Sequence, residues 1–551
     1  MVINTLKDLA LCSVEKYSDR VAFSMLNGEQ VTYSEFRTRM SVVQDLLKNA
    51  GLNPGDKVAL LSSNMPNWSV CYFAVVSSGM TVVPILPDFS APELDMIIQH
   101  SEAKAVLVSD KLFTRLSKET ISKLNVVIRT KNLSVISQNV EEQGSIADPK
   151  AEDIAAIIYT SGTTSKPKGV MLSHYNLVKQ VGVCNSLFQM NEQDVCLSVL
   201  PLSHTYECSL GMILPFSLGA QSIYLDRPPT ASVLMPAMKK VRPTIMLIVP
   251  LLIEKIFRSQ VQAKFNATAF LRTVCKLSPV RNTLYKVAGK RLMKVFGGRV
   301  RFLGIGGAKL AYDTEEFLSI SKFPYAIGYG LTETAPVLAG AVPGNTRLGS
   351  TGHMAEGLQI RLENINPETH QGEVVVKTPC AMIGYFKNEE ATKEVFTKDG
   401  WFRTGDLGEI DKDGFLYIKG RLKNMILGPS GENIYPEEIE SVLNSHVYIS
   451  DSVVTEKEGR LIALVHFNAD EIESLFKEWR EELRDEWESR MSEWEARKES
   501  MKKEIQSYVN SKVNRFSKIS EVVEQEEAFV KTPTHKIKRF LYNKGTNTNN
   551  K

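Results

Sequence analysis

Short apolar runs alternate with amphipathic stretches over roughly the first 400 residues, the pattern of strands covered by helices in an α/β protein. Lys57–Leu61, Thr81–Ile85 and Ala105–Val108 read as buried strands, with a helix around Trp68–Ser77. Asp153–Ile158 and Gly169–Leu172 are two more strands. Ser173 is a plausible N-cap, and the helix after it would bury Leu177, Val181, Cys184, Leu187 and Phe188 at a period near 3.6. Ile245–Val249 and Val300–Ile305 are again short apolar strands that end at Pro or Gly. No internal repeat stands out.

The pattern changes near Gly420. Asp411–Gly414 is a hairpin-type turn between Leu407–Ile410 and Phe415–Ile418, and the chain beyond Gly420 is richer in charge. Residues 470–516 read as one long helix. Phe476, Trp479, Leu483, Trp487, Met491, Trp494, Met501, Ile505 and Tyr508 recur along it at spacings of three, four or seven. Docking of this stripe on its own domain is the favoured reading; a partner helix or a membrane surface is the alternative. Eleven acidic against eight basic residues from Glu471 to Lys503 argue against anionic lipid there. Asn543–Lys551 is a polar tail.

Composition narrows the class. At 551 residues the chain is long enough for several domains, and 43% hydrophobic with 23% charged residues is ordinary for a globular protein. A net charge of +3 gives no reason to expect nucleic acid. Seven cysteines without a C-x-x-C pair suggest reduced thiols and a cytoplasmic protein. The first residues lack the apolar core of a signal peptide, and no run reaches the roughly 18 apolar residues of a membrane span.

The most informative stretch is Tyr159-Thr-Ser-Gly-Thr-Thr-Ser-Lys-Pro-Lys-Gly-Val170. It packs hydroxyls, glycines and two lysines between two strands, a sensible cradle for a polyphosphate. It is not a Walker A loop, because the glycine spacing differs and Pro167 separates the lysines. Composition alone would favour a solvated turn. Four further strings follow in order: Pro201-Leu-Ser-His204 onward, Gly328-Tyr-Gly-Leu-Thr-Glu-Thr334, Trp401-Phe-Arg-Thr-Gly-Asp406 and Gly420-Arg-Leu-Lys423. Lys531-Thr-Pro-Thr-His-Lys-Ile-Lys-Arg539 closes the series. Taken singly, Arg421 and Lys423 read as a solvated pair and the C-terminal basic cluster as surface charge.

Together these strings closely resemble the adenylate-forming, AMP-binding superfamily, and within it the long-chain fatty acyl-CoA synthetases. The resemblance covers about residues 5–542. It departs from the family at Ser165, usually Gly, and at His535 before the lysine, where long-chain members also carry a bulkier residue. The resemblance implies a large α/β N-terminal domain of layered sheets plus a small sub-barrel over 1–420. It also implies a hinge over 421–423 and a small mobile α+β lid domain over 424–551.

It further implies that Thr160, Ser161, Gly162, Thr163, Thr164 and Lys168 clasp phosphates. Gly307, Ala308, Tyr329, Gly330, Thr332, Asp406 and Arg421 would bind the rest of ATP or AMP, with Tyr329 stacking on adenine and Asp406 on the ribose. Glu333 would hold Mg²⁺, a hard ion that prefers oxygen ligands. Lys536 would be the catalytic lysine, His204 would gate the acyl pocket, and Lys423 would be the hinge. Gly431 and Asn433 would face pantetheine. The implied substrates are a fatty acid, ATP and CoA. The apolar stretch Gly211–Leu218 is either the wall of a hydrocarbon tunnel or ordinary core. Membrane contact would be at most peripheral, and a homodimer is left open. Two alternatives stand beside this: an acyl-AMP ligase that loads a carrier protein, and a non-catalytic nucleotide-binding scaffold.

Overall fold

In the computed structural model the described residues are 3–140, 142–160, 167–266, 277–428, 433–469, 491–532 and 536–542. Two sheets dominate the N-terminal body. One has eight strands, with Lys57–Leu61 at its centre flanked in parallel by Thr81–Pro84 and Ala103–Val108. The other has nine. At its heart Tyr325–Gly330, Phe302–Ile305, Ile245–Ile248 and Val195–Ser198 lie side by side, all parallel.

Helix Pro66–Ser77 explains how the sheets are joined. It starts with Pro at its first turn and buries every one of its residues. A helix apolar on all sides belongs in an interior. Its Trp68, Tyr72 and Phe73 share one core cluster with Val58 and Val82 of the first sheet and Phe23 and Tyr224 of the second.

The sequence expectations for these strands hold to within two residues, and Lys57–Leu61 is reproduced end for end. Ser173 does cap helix His174–Phe188, its hydroxyl accepting from the Asn176 amide. Ile154–Thr160 and Lys168–Ser173 pair antiparallel, so the stretch between them is a hairpin connection.

The chain then builds a four-stranded antiparallel sheet, with Phe402–Ile410 and Leu416–Arg421 joined across the Asp411–Gly414 turn. The C-terminal part has its own core. Strands Ile449–Lys457, Arg460–Phe467 and Glu521–Glu524 pack against helices Pro436–Asn444 and Met491–Asn510 through Ile439, Leu443, Met501, Ile505 and Val509. The long helix expected to 516 stops earlier, at Asn510. The Asn510 side chain bonds both backbone groups of Ile519, at 2.9 and 2.8 Å, and so turns the chain back toward the sheet. Residues 470–490 lie outside the described residues.

One buried carboxylate ties the parts of the second sheet together. Asp194 accepts from Arg301 Nε at 2.8 Å, the Thr244 hydroxyl at 2.7 Å and the Asn191 amide at 2.9 Å. Arg301 also donates to the carbonyls of Phe188 and Gln189 at the end of the capped helix. Asp194→Ala is expected to lower the stability of the N-terminal body by about 2–3 kcal/mol, less than for a fully buried pair because Arg301 is partly solvated. Urea unfolding followed by tryptophan fluorescence measures it.

Candidate active site

In parallel sheets, ligands bind beyond the carboxyl ends of the strands. Three strands of the parallel run in the second sheet carry candidate residues just beyond their carboxyl ends. His204 follows Val195–Ser198, Gly307 and Ala308 follow Phe302–Ile305, and Tyr325–Gly330 runs directly into Thr332 and Glu333. Gly307 has φ +90°, where glycine is favoured. Gly330 is required for another reason: a Cβ there would lie 1.9 Å from the Pro336 carbonyl oxygen. Thr334 closes the same turn by donating to that oxygen at 2.7 Å.

Thr160 and Lys168 pair across their hairpin, and the Thr160 hydroxyl donates to the Lys168 carbonyl at 3.5 Å. The connection between them therefore leaves and returns at one point. Ser161, Gly162, Thr163, Thr164 and Ser165 lie outside the described residues, as does Gly431. Lys168 Nζ stands 5.0 Å from the centre of the Tyr385 ring, and the Tyr385 hydroxyl donates to Glu333 Oε1 at 2.9 Å. Tyr385 thus links the base of the loop to Glu333.

Asp406 is buried on strand Phe402–Ile410 and cross-paired with Arg421. Its carboxylate accepts from the Tyr329 hydroxyl at 2.8 Å and from Arg421 Nε at 2.9 Å. Burial raises its pKa, while Arg421, Tyr329 and Lys536 oppose the rise. Tyr329 is therefore oriented by its hydroxyl, which leaves its ring position fixed relative to Asp406.

Lys536 reaches this cluster from the far end of the chain. Thr532 N donates to its carbonyl at 2.7 Å, and its own amide donates to the Thr532 hydroxyl at 3.1 Å. The residue keeps exposed surface. Desolvation nonetheless lowers the pKa of its ammonium first and the Arg421 charge second; Asp406 and Glu333 pull the other way. Lys423 is exposed in the single turn Leu422–Asn424 that joins the four-stranded sheet to the C-terminal part, and Asn433 begins a two-residue strand just beyond it.

Burial lowers His204 to about 4, with a smaller contribution from Lys536, so the imidazole is neutral at pH 7. Its Nδ1 accepts from the Tyr206 amide at 3.2 Å, which assigns the proton to Nε2.

Three features were not anticipated from sequence. Tyr385 carries no local signal that it would hold Glu333. Glu207 looks like an ordinary helix acid, yet it is 1% exposed and folded against Gly211, and its Oε2 is buried without a hydrogen-bond partner. Burial pushes its pKa up to about 8, so it is largely protonated at pH 7. Contacts between the N-terminal body and the C-terminal part are the third: Lys309–Glu438 and Lys538–Glu93, both 3.7 Å, and Arg258 donating to the Asn444 carbonyl.

The family model described as AMP-binding enzyme matches residues 12–386. Long chain acyl-CoA synthetase 1 of Arabidopsis thaliana is 30% identical over 512 residues, covering 82% of this chain and 76% of that protein. A chloroplastic long-chain-fatty-acid–[acyl-carrier-protein] ligase of the same plant is 26% identical over 565 residues, covering 85% and 77%. Among solved structures, the o-succinylbenzoate CoA synthetase of Bacillus subtilis, in complex with its acyl-adenylate intermediate, superposes with a TM-score of 0.75 at 21% identity. It covers 97% of both chains, which shows the shared fold.

Glu207 gives a pH test. Its folded pKa lies above the ordinary 4.5, so the stability it contributes is complete below pH 4.5 and is lost as pH rises through about 8. Glu207→Gln removes that titration. The stability of the variant relative to the parent should therefore rise between pH 5 and pH 8, as read from denaturation midpoints across that range; a flat difference would contradict the protonated state.

Proposed function

The chain belongs to the AMP-binding enzyme family, and from that membership we propose an ATP-dependent, AMP-forming fatty acid–CoA ligase. The reaction activates a fatty acid as acyl-AMP with release of pyrophosphate, then passes the acyl group to the thiol of CoA with release of AMP. The observation that carries this reading is the convergence of Glu333, Asp406, Arg421, Lys536 and neutral His204 at the strand ends, on a chain whose relatives are named for long-chain acyl-CoA synthesis.

The first half-reaction joins two anions, so its barrier is largely repulsion that must be neutralised. The carboxylate attacks the α-phosphorus while the bond to pyrophosphate breaks. Lys536 would bridge the attacking carboxylate and the α-phosphate. Desolvation lowers its pKa, and the approaching anions favour its protonated form. Asp406, oriented by Tyr329 and Arg421, would accept from the ribose hydroxyls. Thr332 would donate to the α-phosphate, and Thr160 and Lys168 would frame the outgoing phosphates.

The donor set fits Mg²⁺. Glu333 is a lone carboxylate, and no cluster of three or more His, Cys, Asp or Glu ligands exists among the described residues. Such a site suits a hard ion shared with phosphate oxygens and water rather than a protein cage. When bound, the ion supplies further neutralisation of phosphate charge. His204, uncharged, would border the acyl carboxylate without pairing with it. Lys423, in the single turn between the two parts, is the proposed pivot that removes Lys536 before the thiol attacks. Asn433 and Gly431 would then meet pantetheine.

Acyl transfer to a carrier protein is the second reading, favoured by the carrier-protein ligase among the relatives. Pyrophosphate release across a fatty-acid chain-length series, with CoA, with acyl carrier protein and with neither, separates the two. Lys536→Ala should lose acyl-AMP formation by two to four orders of magnitude yet still convert supplied acyl-AMP to thioester. Equal loss of both half-reactions would reject its role.

A further inference from the structure

We propose that the outer face of helix Ser278–Val295 is a docking face for an anionic lipid surface. From Leu277 to Arg301 the chain carries seven basic residues and no acidic one, in a protein whose net charge is only +3. Two of the seven are committed inward or sideways: Arg281 to Glu316 at 3.2 Å, and Arg301 to Asp194. The other five, Lys286, Lys290, Arg291, Lys294 and Arg299, are all exposed, with no acidic partner recorded among the described residues.

Apolar groups stand among these cations. Leu277, Val280 and Val287 are 60%, 37% and 49% exposed. Val280, Thr283, Val287, Arg291 and Lys294 follow one another at spacings of three and four, which places them on one side of the helix, with Lys286 and Lys290 alongside. The opposite side is fixed to the body. Gly289 and Leu292 are buried. Gly289 allows Ser321 so close that a Cβ would lie 2.4 Å from the serine Cβ, and Tyr285 sets its ring edge-on to Phe317 at 5.1 Å. The exposed face is thus presented on a rigid support.

The positive patch extends past the helix. Gly297 packs on the Met238 carbonyl and on Arg242, bringing exposed Lys239 and Arg242 from the neighbouring helix to its C-terminal end. Cations around a narrow apolar strip match a bilayer, where lysine and arginine meet anionic headgroups and the valines enter the acyl boundary. A nucleic-acid backbone would use the cations but not the valines. No described helix is long and apolar enough to cross a membrane, so the contact lies in the interface plane. This inference does not rest on the proposed reaction.

Sedimentation of the full chain with lipid vesicles tests it. Association is expected with phosphatidylcholine vesicles that contain phosphatidylserine, and little with phosphatidylcholine alone. It should weaken steeply as added salt shortens the Debye length from about 10 Å at 0.1 M to about 3 Å at 1 M. The variant K286E/K290E/R291E/K294E should bind at least ~10-fold more weakly, and V280S/V287S, which keeps every charge, several-fold more weakly. Unchanged thermal unfolding of both variants confirms that they fold. Absence of binding to phosphatidylserine vesicles, equal binding by both variants and the parent, or binding to an RNA homopolymer without vesicle binding would each overturn the proposal.

Discussion

The Asp406 carboxylate is the group on which the site depends. It is buried, and a buried charge is tolerated only when paired and hydrogen-bonded. Tyr329 and Arg421 meet that need from two different segments, at 2.8 and 2.9 Å. Their positions follow from it: the tyrosine at the end of a parallel strand is aimed by its hydroxyl, and the arginine at the end of an antiparallel strand is held beside the same acid. Lys536, from the far end of the chain, completes the balance across the cleft.

Only one member of that cluster comes from the C-terminal part. Tyr329, Asp406 and Arg421 all belong to the body before the turn at Leu422–Asn424. The ion pairs that cross the seam, Lys309–Glu438 and Lys538–Glu93, are long and partly solvated. Pairs of that kind contribute less than about 1 kcal/mol each. Separation of the two parts would withdraw one positive charge from the site and leave Tyr329, Asp406 and Arg421 together. That arrangement suits the role proposed for Lys536, needed in one half-reaction and withdrawn for the next.

The sheets supply the rigidity this requires. Helix Pro66–Ser77, apolar all round, packs between the first sheet and the strands that carry Phe23 and Tyr224 in the second. The strands that end at the site share a core of their own through Leu197, Ile248, Leu303 and Ile327, so their ends cannot shift without disturbing it. Asp194 and Arg301 tie the capped helix to the same sheet. His204, Gly307, Tyr329 and Glu333 are consequently delivered by fixed elements, while Lys536 arrives on a small hairpin of a part joined by a single turn.

Much of this was legible in the chain itself. Short buried strands declare themselves by apolar runs that end at Pro or Gly, and Ser173 by its place before a 3.6-residue period. Ordered strings singled out Thr160, Lys168, Tyr329, Glu333, Asp406, Arg421 and Lys536 as candidates through their resemblance to a family, whereas Arg421 and the C-terminal lysines taken singly read as surface charge. The long C-terminal helix was overextended: its apolar stripe ends at Tyr508, and the Asn510 side chain then turns the backbone. Tyr385 and Glu207 were invisible. A tyrosine beside a carboxylate distant in the chain leaves no local trace, and a glutamate reads as solvent-facing until the core closes over it. The linear order of residues thus determined the fold class and the positions of the buried strands, and it supplied candidates for the site. Only the tertiary structure decided which groups share a charge environment, because burial and through-space electrostatics depend on distances that sequence separation does not encode.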